Sequence, residues 1–533
     1  MKMRILVMAT WVLAALLVGG GQVLAETYYV RIDGSDTNSG LDNTNTGAWA
    51  TIQNAADNAT PGDLVLVQAG TYLEDVIINS QGMTDAWITL RGEGDVVLSS
   101  IKFPGSSEFS VRVYYYVNIE NFTFDGALGS TYGIWMQGAG NISITNSTFQ
   151  DYISTETWGA IGLKISNNAW QASHSISVRN CIFVGNQYAV AAPGSGMLEN
   201  SLFEGSQFIN NGIGYYASNW GTRYTTFSRC TFEGNGTGIL LEGVYWYWLK
   251  THHNTIYRSV FSNNQTGIHI GEETGTSYNG CAYDNDVINS TFYSNQNAGI
   301  RVNTNFSGTN SPSAEWLDAQ GQTFVNNIFL SNGTYGIDNN ANQTLYSSYN
   351  LAYDNGIAPG NNAIFDMSNY SLIEDPQLID PIGGDFRLSS GSICIDAGDP
   401  AYDADPYVVG DHIDIGALEY DNPTPPEIVT ELIDAITDVP ESFLKNKNNS
   451  LPISKKLYVV LNTIVKADEE ADPVKRANLY HASLQKLTHD ILPKTDGCAM
   501  AGVPDNNDWI LDCETQADFY DPITSLIEML TTM

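Results

Sequence analysis

One short phrase recurs along this chain and restricts its fold more than any other feature. It consists of an apolar β-former, a polar residue two positions on, and phenylalanine three after that. It reads Ile-Thr-Asn-Ser-Thr-Phe at 144–149, Val-Arg-Asn-Cys-Ile-Phe at 178–183 and Phe-Ser-Arg-Cys-Thr-Phe at 227–232. Further copies are Ile-Tyr-Arg-Ser-Val-Phe at 256–261, Val-Ile-Asn-Ser-Thr-Phe at 287–292 and Phe-Val-Asn-Asn-Ile-Phe at 324–329. Ile-Glu-Asn-Phe-Thr-Phe at 119–124 opens the series, and Phe208 marks a weaker copy. The phenylalanines recur every 24 to 37 residues. That interval is too long for hairpins and too short for strand–helix–strand units with full helices, but it suits one coil of a β-solenoid.

Each unit has a constant and a variable part. From the first apolar residue to a Gly-Ile position takes 12 residues in three units (Val178 to Val190, Phe227 to Ile239, Ile256 to Ile268) and 13 in the next two. The gap to the following unit swings from 17 to 24 residues over the same region. The constant part must stack in register, whereas the variable part is free to loop out, so the excursions are expected to leave at one corner and gather along one flank. The repeated Asn positions fit tight turns that need left-handed backbone, including those in Asn-x-Ser/Thr triplets.

Charge narrows the partners. The net charge is −36 with only 23 Lys and Arg, a balance that repels nucleic acid and anionic lipid and excludes both as general partners. Lys2 and Arg4, the apolar run 5–17 and Val23-Leu24-Ala25 read as a secretory signal spanning 1–25. Secretion to the exterior or the cell surface is therefore expected, with no membrane insertion once the signal is removed, because the run is short for a span and no later segment qualifies. Of the six cysteines, Cys498 and Cys513 sit in one Gly/Pro/Asp-rich stretch and are candidates to bond to each other, whereas Cys181 and Cys230 share one repeat position and read as small buried residues.

Three stretches carry a family resemblance. Tyr-Tyr-Val-Arg-Ile-Asp-Gly-Ser-Asp at 28–36, Trp-Ala-Thr-Ile-Gln-Asn-Ala-Ala-Asp at 49–57 and Pro-Gly-Asp-Leu-Val-Leu-Val-Gln-Ala-Gly-Thr-Tyr at 61–72 resemble the N-terminal cap and first coil of pectate-lyase-like β-helix proteins. Gly384 to Gly398, with Asp-Ile-Gly-Ala-Leu-Glu-Tyr at 414–420, is similar to the closing segment of secreted members. The resemblance implies an all-β right-handed parallel β-helix, with cap and first coils over 26–115 and body plus closing segment over 116–421. It does not fix an activity, since the superfamily holds lyases, hydrolases, epimerases and proteins with none.

After a Pro-rich linker at 422–427 the composition changes, and apolar residues at helical spacing (Ile428, Leu432, Ile436; Leu457, Val460, Leu461, Ile464) predict a small α-helical domain over 428–533. Nothing in it looks catalytic, and docking to a protein partner is the expected role.

For the rod, a polysaccharide or cell-surface glycan is the expected partner. The predicted excursions are rich in aromatics, including Tyr152, Trp158, Trp170, Trp220, Tyr224, Tyr278, Tyr283, Phe306 and Trp316, with Tyr245, Trp246, Tyr247 and Trp248 densest. Flat rings among Asn, Ser and Thr suit the C–H faces and hydroxyls of sugars, although each ring can equally pack on the rod. β-Elimination of a uronic acid polymer needs a base and a charge to stabilise the carboxylate-derived anion. The resemblance implies Lys or Arg as base, with Ca²⁺ or a cation against the carboxylate. Between 113 and 386 only Lys164, Arg179, Arg223, Arg229, Lys250, Arg258 and Arg301 qualify. Lys250, which follows the Trp/Tyr cluster and precedes His252 and His253, is the candidate base, with His253 a substrate contact.

Arg229 and Arg258 take the repeated Asn position in successive coils, about 4.8 Å apart. Two stacked cations call for an anion, either a substrate carboxylate or a local one such as Glu233. Glu272, Glu273, Asp284 and Asp286 are the candidate ligands for Ca²⁺, with a plain acidic loop as the alternative. A polysaccharide lyase is the leading reading, a glycoside hydrolase the second, and a non-catalytic glycan-binding, adhesion or matrix protein the competing class. The Asn-Thr-Asp, Asp-Asp and Gly-His-Gly signatures of polygalacturonase-type hydrolases are missing from the rod.

Overall fold

A computed structural model describes residues 25–106, 112–154, 160–166, 171–193, 196–217, 221–242, 251–271, 282–303, 321–340, 345–363, 370–420, 425–445, 450–496, 498, 504, 508–511 and 513–532. The chain divides into two units, 1–420 and 421–533.

In the first unit short strands pair in parallel, each with the corresponding strand of the next coil. A typical coil has strands Thr255–Tyr257, Val260–Ser262 and Thr266–Gly271. Its residues Ile256, Phe261 and Ile268 pair with Val287, Phe292 and Ile300 of the following coil. Stacking of this kind brings like residues into columns. Phe124, Phe149, Phe183, Phe208, Phe232, Phe261, Phe292 and Phe329 form one interior ladder of stacked rings, with centroids 4.4 to 5.0 Å apart. Phe208 is a full member of it.

The Gly-Ile positions follow from this ladder. A Cβ on Gly238 would meet the Gly267 carbonyl oxygen at 2.5 Å and Phe261 Cδ1 at 2.9 Å. Only a bare Cα fits between the ring and the next strand. Close approach dictates the glycine here.

Three columns of left-handed residues, five positions apart, turn each coil. In the coil of Phe261 they are His253 (φ 54°), Arg258 (φ 46°) and Asn263 (φ 57°). In the coil of Phe292 they are Asp284, Asn289 and Ser294. Each is followed by an inward polar residue that joins a ladder along the rod. The backbone N–H and Nδ2 of Asn235 both donate to Asn264 Oδ1 at 2.9 Å, and Asn264 Nδ2 donates to the Phe232 carbonyl at 2.9 Å. Asn186, Asn211, Asn295 and Asn332 continue this pattern. A second ladder runs through Cys181, Ser206, Cys230, Ser259 and Ser290, where a thiol or hydroxyl takes the inward place. Backbone groups that a tight turn would strand inside the rod thus find partners. The buried Cys181 and Cys230 are free thiols.

Excursions 167–170, 194–195, 218–220, 243–250, 272–281, 304–320 and 341–344 all follow the third strand of a coil. The expected single exit corner holds for these. Residues 155–159 and the 3-10 turn Gly126–Leu128 interrupt a different corner. The helix α1, Ile52–Asn58, is capped by the Thr51 side chain and belongs to the N-terminal cap. At the other end, residues 372–420 run back along the outward side of the middle strands. Ile328, Leu330, Leu351, Leu388, Cys394 and Ile415 form a buried cluster there.

The second unit packs α2 (Pro425–Asp438), α3 (Ser450–Glu469), α4 (Pro473–Lys486) and α5 (Cys513–Thr532) around Val429, Ile436, Leu457, Val460, Leu487 and Ile523. A disulfide joins Cys498 to Cys513. Pro425 and Pro426, read in the sequence as linker, open α2, where a missing N–H costs nothing because first-turn donors have no intrahelical acceptor. Among the described residues no helix is long and apolar enough to cross a membrane.

Candidate functional site

The flank beside the exit corner is built by one outward column and the left-handed column next to it. Parallel pairing places Gly140, His174, Glu199 and Arg223 one above another, then His252 and Tyr283. Ser175, Asn200, Tyr224, His253 and Asp284 are the left-handed neighbours. A non-glycine residue at positive φ costs on the order of 1–3 kcal/mol. The fold demands the turn, and the chain fills it with large polar side chains at Tyr224 and His253.

The rings form a continuous patch. His252 stacks on Tyr283 with centroids 4.9 Å apart. Tyr224, 52% exposed, lies 5.1 Å from His253 and 5.4 Å from His252. Nδ1 of His252 and Nδ1 of His253 are 2.8 Å apart, so one ring must accept through a bare nitrogen. Burial raises the Asp286 carboxyl above its ordinary value, against a Thr323 hydrogen bond and the nearby His253, which lower it.

Further along the column Glu199, nearly buried, receives Arg223 Nε at 2.7 Å and Arg112 at 3.4 Å. Beside it the His174 imidazole lies over the bare Cα of Gly140 and edge-on to Tyr114 at 4.9 Å. Burial, and secondarily Arg112, push its pKa below the usual histidine range. His174, Glu199, Arg112 and Arg223 were not singled out as a site from sequence. The register of the column is their only signal, and it is read one residue before the left-handed turn.

Arg229 and Arg258 do stack in successive coils, both at positive φ. Arg258, 4% exposed in its side chain, meets Glu419 at 2.7 Å and Asp405 at 3.6 Å. Arg229 pairs with Glu204 at 2.8 Å, and its guanidinium carbon lies 4.6 Å from the Tyr407 ring centroid. Local carboxylates hold both cations. They come from the neighbouring coil and the closing segment rather than from Glu233.

Tyr152, expected in an excursion, is a core ring whose hydroxyl donates to the Ser99 carbonyl at 3.0 Å. Lys250, Tyr245, Trp246, Tyr247 and Trp248 lie outside the described residues, as do Glu272 and Glu273, Trp158, Trp170, Trp220, Tyr278, Phe306 and Trp316. In the sequence, Lys250 immediately precedes the strand Thr251–His252. Among the described residues no group of three or more His, Cys, Asp or Glu side chains converges as a metal requires. Asp284 and Asp286 are too few for the six to eight or so oxygens that Ca²⁺ takes.

Residues 132–311 match the family described as right handed beta helix region. Comparison with curated proteins gives no match. Among solved structures, the chain is similar to pectate lyase Pel9A at 18% identity, covering 75% of this chain and 98% of that one, with a TM-score of 0.40. It is also similar to a rhamnogalacturonan lyase at 14% identity, covering 50% and 82% with a TM-score of 0.36. A PL6 family polysaccharide lyase, Pedsa3628 from Pseudopedobacter saltans, follows at 13% identity, covering 64% and 94% with a TM-score of 0.33. The parallel coil-to-coil register and the match over 132–311 together make the first unit of this chain a right-handed parallel β-helix.

Proposed function

We propose that this is a secreted carbohydrate-active protein, a polysaccharide lyase in its catalytic form, which meets its polymer along the exit-corner flank. The observation that supports it best is the ring patch of Tyr224, His252, His253 and Tyr283, stacked beside the point where excursions 243–250 and 272–281 rejoin the rod. Flat rings with polar edges on consecutive coils, of which Tyr224 and His253 are exposed and His252 is buried, suit successive sugars of one chain. In this reading Lys250 takes the proton next to the uronate carboxylate, and His253 and the Tyr245 to Trp248 run hold the sugar. A non-catalytic glycan-binding role is the second reading. It is favoured by the pairing of Arg223, Arg229 and Arg258 with internal carboxylates, which leaves them engaged within the protein.

The test is incubation with pectate, alginate, glycosaminoglycan and neutral glycans, with and without Ca²⁺. New near-ultraviolet absorbance from unsaturated ends supports the lyase, and its loss in Lys250→Ala supports that base. Reducing ends without absorbance identify a hydrolase. Retention without cleavage supports the binding role, and no interaction with any glycan overturns the proposal.

A further inference from the structure

The first coils carry a second feature on the other side of the exit corner. Lys102, Trp135 and Lys164 occupy one outward position in three successive coils. The Trp135 indole is flanked by both ammonium groups, Lys102 Nζ at 4.3 Å and Lys164 Nζ at 4.7 Å from a ring centroid. Its Nε1 donates to Ser166 Oγ at 2.8 Å, which fixes the ring between the two cations. The coil bearing Trp135 crosses the exit corner on Gly138 alone, whose N–H donates to the Ser166 carbonyl at 2.9 Å. No excursion leaves this coil at that corner, while 107–111 and 167–170 leave from the coils on either side.

The charges here are unusual for the first unit. Among the described residues no carboxylate lies within ion-pair distance of Lys102 or Lys164, although Arg31, Arg91, Arg112, Arg179, Arg223, Arg229, Arg258, Arg301 and Arg387 each have one. A chain of net charge −36 thus keeps two lysines together with no acid at ion-pair distance among the described residues. Attraction to the indole face, about 0.5–1 kcal/mol per contact at exposed sites, holds both ammonium groups on the ring but leaves their charge uncompensated by an anion among the described residues. An anion beside them would complete the arrangement.

We infer that Lys102, Trp135 and Lys164 form a binding site for the oxyanion groups, carboxylate or sulfate, of an acidic glycan. The inference rests on the glycan reading above and names its substrate class as anionic. A net charge of −36 also repels an acidic glycan, so such a substrate needs a local cationic site. Long-range repulsion from an acidic surface is screened beyond about 8–10 Å, and at contact the two ammonium groups attract an anion. Burial, and then the charge of Lys102, hold the Lys164 pKa below the ordinary lysine range. A bound anion relieves that, so binding weakens as pH rises into the alkaline range.

The test measures binding of the full chain to polygalacturonate, to a sulfated polymer (dextran sulfate) and to neutral dextran. The variants are Lys102→Gln with Lys164→Gln, Lys102→Arg with Lys164→Arg, and Lys466→Gln with Lys475→Gln as a charge-matched control in the second unit. A carboxylate site prefers polygalacturonate and a sulfate site prefers dextran sulfate. Expected for the Gln pair is a roughly tenfold weaker affinity for the preferred polyanion, from two half-buried charge contacts, with dextran unaffected. The Arg pair should restore most of the affinity, and the control should stay within about twofold. Undiminished glycan binding by the Gln pair, an equal loss in the control, or binding of neutral dextran alone overturns this site and leaves the glycan reading standing. A wild-type chain that binds no glycan of any kind overturns both. Matching melting temperatures of wild type and the Gln pair exclude unfolding as the cause of a loss.

Discussion

Arg258 and Glu419 stand 161 positions apart and meet at 2.7 Å, with side chains only 4% and 5% exposed. The contact ties the closing segment to the middle of the rod. Asn289 Nδ2 donates to the Asp414 carbonyl at 2.8 Å, and the Asp399 N–H donates to Asn326 Oδ1 at 2.8 Å. The segment therefore grips the left-handed column at Arg258, Asn289 and Asn326, which are consecutive coils.

Removing the acid of this pair strands a cation that water cannot reach. Glu419→Ala should destabilise the first unit by about 3–5 kcal/mol, the usual cost of breaking a buried pair from one side. Denaturant unfolding monitored by intrinsic fluorescence checks it. A change under about 1 kcal/mol would show that Asp405, 3.6 Å from Arg258, suffices alone.

The asparagine ladder makes a second prediction. Asn264→Ala leaves the Asn235 N–H and Nδ2 without their shared acceptor and the Phe232 carbonyl without a donor. Each unsatisfied buried group costs about 1–3 kcal/mol, so a loss of roughly 3 kcal/mol or more is expected in the same unfolding measurement. Asn263→Ala, at the exposed left-handed position just before, should cost about 1–2 kcal/mol from backbone strain.

Close packing gives a third. Gly238→Ala drives a methyl group against Phe261 and the Gly267 carbonyl oxygen. Overpacking of this kind costs about 1–3 kcal/mol, and thermal melting should fall accordingly.

A fourth concerns pH. Burial pushes the Asp414 carboxyl up to about 6, aided by Glu419 and Asp396 and opposed by N–H groups of Tyr420 and Asp396. Because the folded value lies above the unfolded one, the folded state holds a proton that the unfolded chain has already released between about pH 4 and 6. Ionising Asp414 thus costs stability on the order of 2–3 kcal/mol, absent below about pH 4 and fully present above about 6. The raised Glu419 acts in the same sense. Amide hydrogen exchange across 394–420, corrected for intrinsic rates, should show stronger protection at pH 5 than at pH 7.5. Equal protection would count against the buried carboxyl as its cause.

Much of the architecture was legible because a parallel coil repeats its contacts at one sequence offset. The phenylalanines, the glycines beneath them and the asparagines at the turns each serve the same neighbour in every coil, so stacking imprints a period on the sequence. The exit corner was legible for the same reason, as the place where that period fails. Phe208 looked weak only because its flanking residues vary, while its ring contacts do not.

What the tertiary structure alone decided is which charges meet. Arg258 sits at a repeat position, yet its partner arrives from the closing segment, at a separation no period predicts. His252 and Tyr283, or Lys102, Trp135 and Lys164, become neighbours through strand register across excursions of unequal length. Sequence spacing encodes the stacking of like residues, because every coil makes that contact with the next. The pairing of unlike ones occurs once and leaves no repeat to read, so only the path of the folded chain specifies it.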